Sequence, residues 1–498
     1  MVVAVLAALA PVAGAAPPER RPAGLALVDA RTCSSPTAWT ARGPLAIAAG
    51  VDGAGGCAAL RLSLERAAEL EFLVLQRKPR PRVVYRERRW ARAGLTTVVW
   101  RPAPGSEPRT YVTQLRIRGT SEGPWLPGPV IRIRGTTARF AQESAQPGAT
   151  VSLVVDDAPG GATLDVVDPA TEQVVSGPRP LRRRTLGLRV GSWEPGIYAA
   201  RIRTRSGTLV HAPLVVGAPP SSRPRVAVVL PTSTWQAYNL RDGDGDGWGD
   251  SWYATDRRES ARLDRPYLGD GLPPFFGRYD LPFLRWFRKT GRSADFLTDE
   301  DLDRVTSADA LARRYDLVVL PGHHEYVTEH ELDLLEGFRD RGGNLAFLSA
   351  DNLHWRVERH GSVLRRKEQF RRTRPPRPEA ALVGVQYRAS DDGTHKGHYV
   401  VRRTDCAPWL FAGTRLSTGS RFGWNGVEID ATTADSPRGT CVVAEIPHLL
   451  GRGRSAQMTY YATPRGAKVF AAGAFAFPSR TWVVRTLLDN LWERLSRP

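Results

Sequence analysis

The sequence predicts a multidomain β and α/β chain: two β-sandwich domains followed by a doubly wound parallel-sheet domain. Three observations predict it. From about residue 24 to 215, apolar side chains alternate or cluster in short runs separated by Gly, Pro and Asp, the spacing of sandwich strands. Beyond "GAPPSSRPRVAVVLPTSTW" the rhythm changes to short continuous apolar runs alternating with amphipathic helical segments, the mark of a parallel sheet covered on both faces. A chain of 498 residues, 42% of them hydrophobic, has the length and apolar content for several true cores.

The elements follow in order. "MVVAVLAALAPVAGAAPPE" is a short apolar run ending in Ala13-Gly14-Ala15, a cleavage pattern that predicts a signal peptide over 1–16 and a secreted or envelope-associated protein. The first sandwich is expected over 24–122, with strands in "AALRLSLERAAELEFLVLQ" and "TYVTQLRIRG". The break at "SEGPWLPGPVIRIRG" sets the second over 125–218. There "WEPGIYAARI" puts Pro195-Gly196 in a turn ahead of a strand, as in immunoglobulin-like modules. The α/β domain is expected over 223–498. Its strands are "RVAVVLPT", "ADFLT", "YDLVVLPG", "NLAFLSA" and "AKVFAAGAFAF"; its helices include "LPFLRWFRKTG", closed by Gly291, and "TEHELDLLEGFRDRGG". The stretch from about 380 to 465 reads as a β-rich insertion capping the sheet. No later segment reaches the ~18 apolar residues of a membrane span.

The four cysteines fit an oxidising compartment. Cys33 pairs most economically with Cys57, and Cys406 with Cys441; no two stand at zinc-ribbon spacing. The net charge of +19 comes almost wholly from arginine, with Lys78, Lys289, Lys367, Lys396 and Lys468 the only lysines. No nucleic-acid-binding module accompanies it, so no nucleic-acid partner is expected; an anionic cell-envelope polymer is a candidate partner.

Two stretches carry chemistry. "YDLVVLPGHHEY" runs a buried strand into His323, His324 and Glu325, at the strand end where open α/β sheets bind ligands. No cysteine occupies that turn and no G-x-S-x-G elbow exists, which excludes the usual covalent hydrolases. A carboxylate flanked by imidazoles suits a metal or acid–base work, although such residues also cap helices. In "NLRDGDGDGWGDSWY", Asp242, Asp244, Asp246, Gly247 and Asp250 match positions 1, 3, 5, 6 and 9 of a calcium loop, with Tyr253 at the twelfth. Calcium is therefore expected there.

From about residue 226 to 360 the chain resembles the C-terminal part of the large subunit of N,N-dimethylformamidase. The pieces are "LPTSTWQAYN", "GWGDSWY", "DRPY", "LPFLRWFRKTG", "DFLTDEDL", "PGHHEYVT" and "GGNLAFLSADNLHWRV". The resemblance implies a glutamine-amidotransferase-like fold and a mononuclear iron held by two tyrosines and a glutamate, hydrolysing an amide. It assigns Glu325 as the glutamate, Tyr238 as the first tyrosine, and Tyr253 as the second, with Tyr267 as the other candidate. His323 and Glu428 become the proton-moving residues. Phenolates and a carboxylate are hard anionic donors, which makes ferric iron a fitting occupant. The alternative is a non-catalytic envelope or carbohydrate-binding protein built on a repurposed α/β domain.

Overall fold

Strands with one buried face need a second sheet to cover them, and the N-terminal strands find one in the computed structural model of the chain. The structure describes residues 24–33, 44–48, 56–78, 80–103, 105–118, 124–253, 258–391, 393–479 and 481–497. The expected signal peptide lies outside them. Contacts divide the chain into two units, Met1–Arg134 with Asp242–Gly249, and Gly135–Arg241 with Asp250–Pro498.

The first unit packs a sheet of Leu25–Thr32, Ala58–Leu64 and Gly94–Trp100 on a five-stranded sheet. The latter runs Leu45–Ala48, Leu126–Arg134, Thr110–Arg118, Ala68–Gln76, Arg82–Ala91. Leu60, Phe72, Trp100, Leu115 and Ile131 are among the side chains of its single core. A bridge joins Cys33 to Cys57, whose Cα atoms are 5.2 Å apart. The sandwich continues to Arg134 and does not end at 122. Pro127, Gly128 and Pro129 read as a break, yet they lie in a strand paired with Thr110–Arg118. Glycine is needed at 128 because a Cβ there would collide with the Thr113 hydroxyl, which donates to the Pro129 carbonyl at 2.8 Å.

In the second unit, Thr137–Phe140, Thr150–Asp156 and Thr185–Arg189 form one sheet. Ser144–Ala145, Thr163–Val167, Val174–Pro180, Gly196–Arg203 and Leu209–Val216 form the other, and Leu153, Val166, Tyr198 and Leu214 are part of the core they share. This is again a β-sandwich.

The elements that follow position the candidate site. They are β1 (Val226–Leu230), α1 (Thr232–Ala237), α2 (Leu281–Thr290), β2 (Asp295–Thr298), β3 (Leu317–Leu320), α3 (Glu329–Asp340), β4 (Asn344–Phe347), β5 (Arg421–Ala431), β6 (Lys468–Ala471) and α4 (Trp482–Leu495). Five of the strands are parallel, in the order β2-β1-β3-β4-β6. Their side chains alternate between two cores, which is why the sequence runs read as continuously apolar. Val226, Val228, Leu230, Val319 and Phe470 pack with α2 and α4. Ala227, Val229, Val318, Phe347 and Val469 pack with α3. Phe296, Phe347 and Phe470 are each under 2% exposed, and truncating such a side chain costs about 3–5 kcal/mol.

The 380–465 stretch does not cap this sheet. It extends it: antiparallel strands from β6 outwards continue the same ladder through Ala456–Ala462, Cys441–Ile446 and Lys396–Val401 to β5. The second bridge, Cys406–Cys441, lies in this extension. Among the described residues no helix is long and apolar enough to cross a membrane.

Candidate metal centre

The strand order reverses direction at β1, between β2 and β3, and such a switch point opens a crevice at the carboxyl ends of the strands. Pro231 and the short, wholly buried α1 follow β1 and end at Tyr238, whose N–H returns to the Thr234 carbonyl. After β3 the chain turns through Pro321 and Gly322 to His323, His324 and Glu325, all buried. Gly322 is required there. A Cβ would meet the buried Asp280 carboxylate at 2.7 Å and the Pro231 ring at 2.9 Å. Burial pushes that Asp280 carboxyl up to about 8.

These residues do not cap α3. Thr328 does so, in a capping box with Glu331. The turn is instead tied to the next loop: the His324 carbonyl accepts from Leu353 N–H at 2.7 Å, and the Glu325 carbonyl from Trp355 N–H at 2.9 Å. His324 faces away, with Nδ1 3.3 Å from the Gly322 carbonyl, and burial lowers its imidazole to about 3. His323 points into the crevice.

Its Nε2 is the centre of the cluster. It lies 3.5 Å from Glu325 Oε2, 3.5 Å from Glu428 Oε2 and 3.9 Å from Asp351 Oδ2. The Tyr238 hydroxyl donates to Glu325 Oε2, and Tyr326 also bonds that carboxylate. Glu428 arrives on β5 at a register shift between Gly426 and Ile429, where Val427 takes a left-handed φ of 79°. Two buried atoms there, His323 Nε2 and Glu428 Oε2, find no partner within hydrogen-bond geometry among the described residues.

The electrostatics follow from crowding carboxylates out of water. Burial, then the Asp351 charge, raises the Glu325 carboxyl above its ordinary range. Burial, then Asp351 and Glu325, raises Glu428 well above it. Burial opposes the Asp351 charge too, but His354 and His323 outweigh it and hold that carboxyl below its ordinary range. Burial, then Glu325, raises the Tyr238 phenol. Three carboxyls around one nitrogen cannot all ionise without a compensating charge. The donor set, with its orphaned imidazole nitrogen and carboxylate oxygen, fits a hard cation.

Tyr238, Glu325, His323 and Glu428 are thus brought together. Tyr253 stands beside them with its ring 5.4 Å from that of Tyr238, but it is 46% exposed. Tyr267 is elsewhere: it lies half-buried in a pocket with Glu143 and Trp235 and hydrogen-bonds Gln236. Sequence reading missed Asp351 and Asp430 and did not count His354 among the site residues. The signal was available, since Asp351 follows β4 as His323 follows β3.

The aspartate loop belongs to the first unit. Carboxylate oxygens of Asp242, Asp244 and Asp246 come within 4.8 Å of one another. Asp242 accepts from the Gly245 and Gly247 N–H groups, both at 2.7 Å, and Arg132 binds the Asp242 and Gly243 carbonyls. The Arg77 guanidinium lies 4.0 Å over the Trp248 ring. Asp250 is not drawn into this group; its carboxylate pairs with Arg258 at 3.1 Å.

A buried cluster of imidazole, carboxyl and phenol groups at a sheet switch point defines a candidate metal centre. The chain belongs to the N,N-dimethylformamidase beta subunit-like, C-terminal family, whose sequence model matches residues 184–480, more than half of the chain. It is 33% identical over 120 residues to the N,N-dimethylformamidase beta subunit of an Alcaligenes species and 32% identical over 120 residues to that of Paracoccus aminophilus. Each match covers 24% of this chain and 15% of the relative. Among solved structures, a Bacteroides ovatus mixed-linkage glucan utilization protein, SGBP-B, covers 33% of this chain and 54% of its own at 12% identity. Its TM-score of 0.16 is too low to carry an argument.

Proposed function

We propose that this protein is an exported metal-dependent hydrolase of amide C–N bonds, with iron as its metal and a glutamine-amidotransferase-like catalytic domain. The convergence of Tyr238, Glu325, His323 and Glu428 on one buried point carries this reading, and membership of the family supports it. Tyr238 and Glu325 would hold the ion, with Tyr253 as the further phenolate. Ferric iron there supplies Lewis acidity toward an amide carbonyl. Glu325, which accepts from the Tyr238 hydroxyl, would orient that oxygen toward the ion once the ion has displaced its proton. A water oxygen would bond to the carbonyl carbon as the C–N bond breaks; His323 Nε2, 3.5 Å from Glu428 Oε2, would take a proton from that water, with Glu428 sharing it, and pass it to the departing amine nitrogen. The two disulfides support an oxidising compartment. The sandwiches, the second of immunoglobulin type, would serve as a binding surface, and the charge of +19 supports an anionic envelope polymer as its target.

Metal analysis and visible spectroscopy test the proposal. The purified protein should carry about one iron per chain with a phenolate-to-iron charge-transfer band, and release dimethylamine from N,N-dimethylformamide or ammonia from formamide used as probes. A colourless, metal-free protein that stays inert after loading with iron would leave the non-catalytic binding reading in its place.

For the loop Asp242–Asp246 we propose calcium. Calcium should raise the melting temperature, and Asp244→Ala with Asp246→Ala should remove that rise; Asp250→Ala should leave it unchanged. A melting temperature indifferent to calcium reduces the loop to a turn.

A further inference from the structure

We propose that Asp351 is a further ligand of the metal centre and that His354 and Asp430 are the residues that position it; this rests on the metal-centre reading above. Asp351 is 4% exposed and sits just past β4 with a left-handed φ of 52°, a conformation few non-glycine residues adopt. Two contacts fix it there. Its N–H donates to both oxygens of the buried Asp430 carboxylate, at 2.9 and 3.1 Å. Its Oδ1 is 2.6 Å from His354 Nδ1. The other oxygen, Oδ2, is thereby left facing His323 Nε2, 3.9 Å away.

That nitrogen is the second observation. His323 is 6% exposed and its Nε2 finds no partner within hydrogen-bond geometry among the described residues, although Glu325 and Glu428 also face it. Ligand atoms of His323, Glu325 and Asp351 all lie within 4.8 Å of one another. Of these, Glu325 and Asp351 are the ligands and His323 remains the proton-moving residue beside them; bonds of roughly 2.0–2.2 Å to one ion place ligands no farther apart than about 4.4 Å, so a small inward adjustment of the two carboxylates suffices. The backing of Asp351 by an imidazole is the outer-shell arrangement that orients metal ligands, with the roles of carboxylate and histidine exchanged. Its consequence is a centre with more carboxylate character than two phenolates and one glutamate provide, and one less dependent on the half-exposed Tyr253.

The full-length protein and its variants are loaded with iron, and bound metal, affinity by chelator competition and the visible band are measured. Asp351→Asn suits the left-handed backbone and keeps the volume, so the fold is retained, as circular dichroism will check. It should weaken metal binding at least tenfold and shift the band; Asp351→Ala should weaken it by about a hundredfold or more. His354→Ala should cost about 10–100-fold, and His354→Asn, which keeps a donor near Nδ1, should recover part of it. Wild-type affinity and spectrum in folded Asp351→Asn and Asp351→Ala overturn the assignment while leaving the metal centre standing. A wild-type protein that takes up no metal removes the centre itself, and this ligand with it.

Discussion

On the proposed reading, Glu325→Ala should empty the candidate metal centre and abolish amide hydrolysis while the fold survives. The carboxylate is the residue on which the cluster turns: it receives the Tyr238 hydroxyl, a Tyr326 bond and the face of His323. Removing a direct ligand should exceed the ~10–100-fold loss of affinity that outer-shell substitutions cause. The fold survives because the backbone of the turn is held by the Leu353 and Trp355 N–H groups, which the substitution does not touch. Metal content and amine release report the loss, with circular dichroism as the control. Retention of wild-type iron by a folded Glu325→Ala protein would sink the metal-hydrolase reading at its centre.

A second large effect is expected far from that site, at Glu71. Its side chain is 1% exposed in the strand Ala68–Gln76, and the register sets Arg88 and Arg116 directly opposite it on the two neighbouring strands. Arg88 Nε donates to it at 2.8 Å, Arg116 Nη2 lies 2.6 Å away, and Arg86 is 3.6 Å off. Burial alone would raise this carboxyl; the Arg116 and Arg88 bonds outweigh it and hold it below the ordinary range. Glu71→Ala strands the nearly buried Arg116 without its counter-charge, and should destabilise the first unit by about 3–5 kcal/mol. The sign with pH follows from the lowered folded pKa. The contribution is full above the unfolded value of about 4.3 and is lost as pH falls through the lower folded value. Urea unfolding should therefore show wild type progressively losing its advantage over Glu71→Gln as pH falls below about 4.3. An advantage that does not change with pH would mean that the arginines do not act through the Glu71 charge.

How much of this was legible in the sequence depended on what each residue must do locally. The parallel strands were legible because burial on both faces demands unbroken apolar runs, as in "LVVL" and "NLAF". His323 and Glu325 stood out because strand ends in such sheets are where ligands bind, and the resemblance added Tyr238 and Glu428. Leu126–Arg134 was misread because Pro and Gly usually punctuate, whereas Gly128 is there to make room for Thr113. Asp351 escaped because nothing in "SADN" announces a left-handed turn locked by a carboxylate 79 residues away. Tyr267 was a candidate through the resemblance at "DRPY", and a matching motif does not say which side of α1 a loop returns to.

One further consequence comes from the loop Asp242–Gly249. The chain leaves the second unit at Arg241, lends these residues to the first, and re-enters at Asp250. Arg132 and Arg77, which grip the loop, precede the boundary at Arg134. Neither unit is therefore a continuous stretch of sequence, and no single genetic cut yields both intact. Such an arrangement resists the domain shuffling by which accessory modules are ordinarily gained and lost. The segment Asp242–Gly249 thus lies between Tyr238 and Tyr253 in the sequence but folds with the N-terminal sandwich.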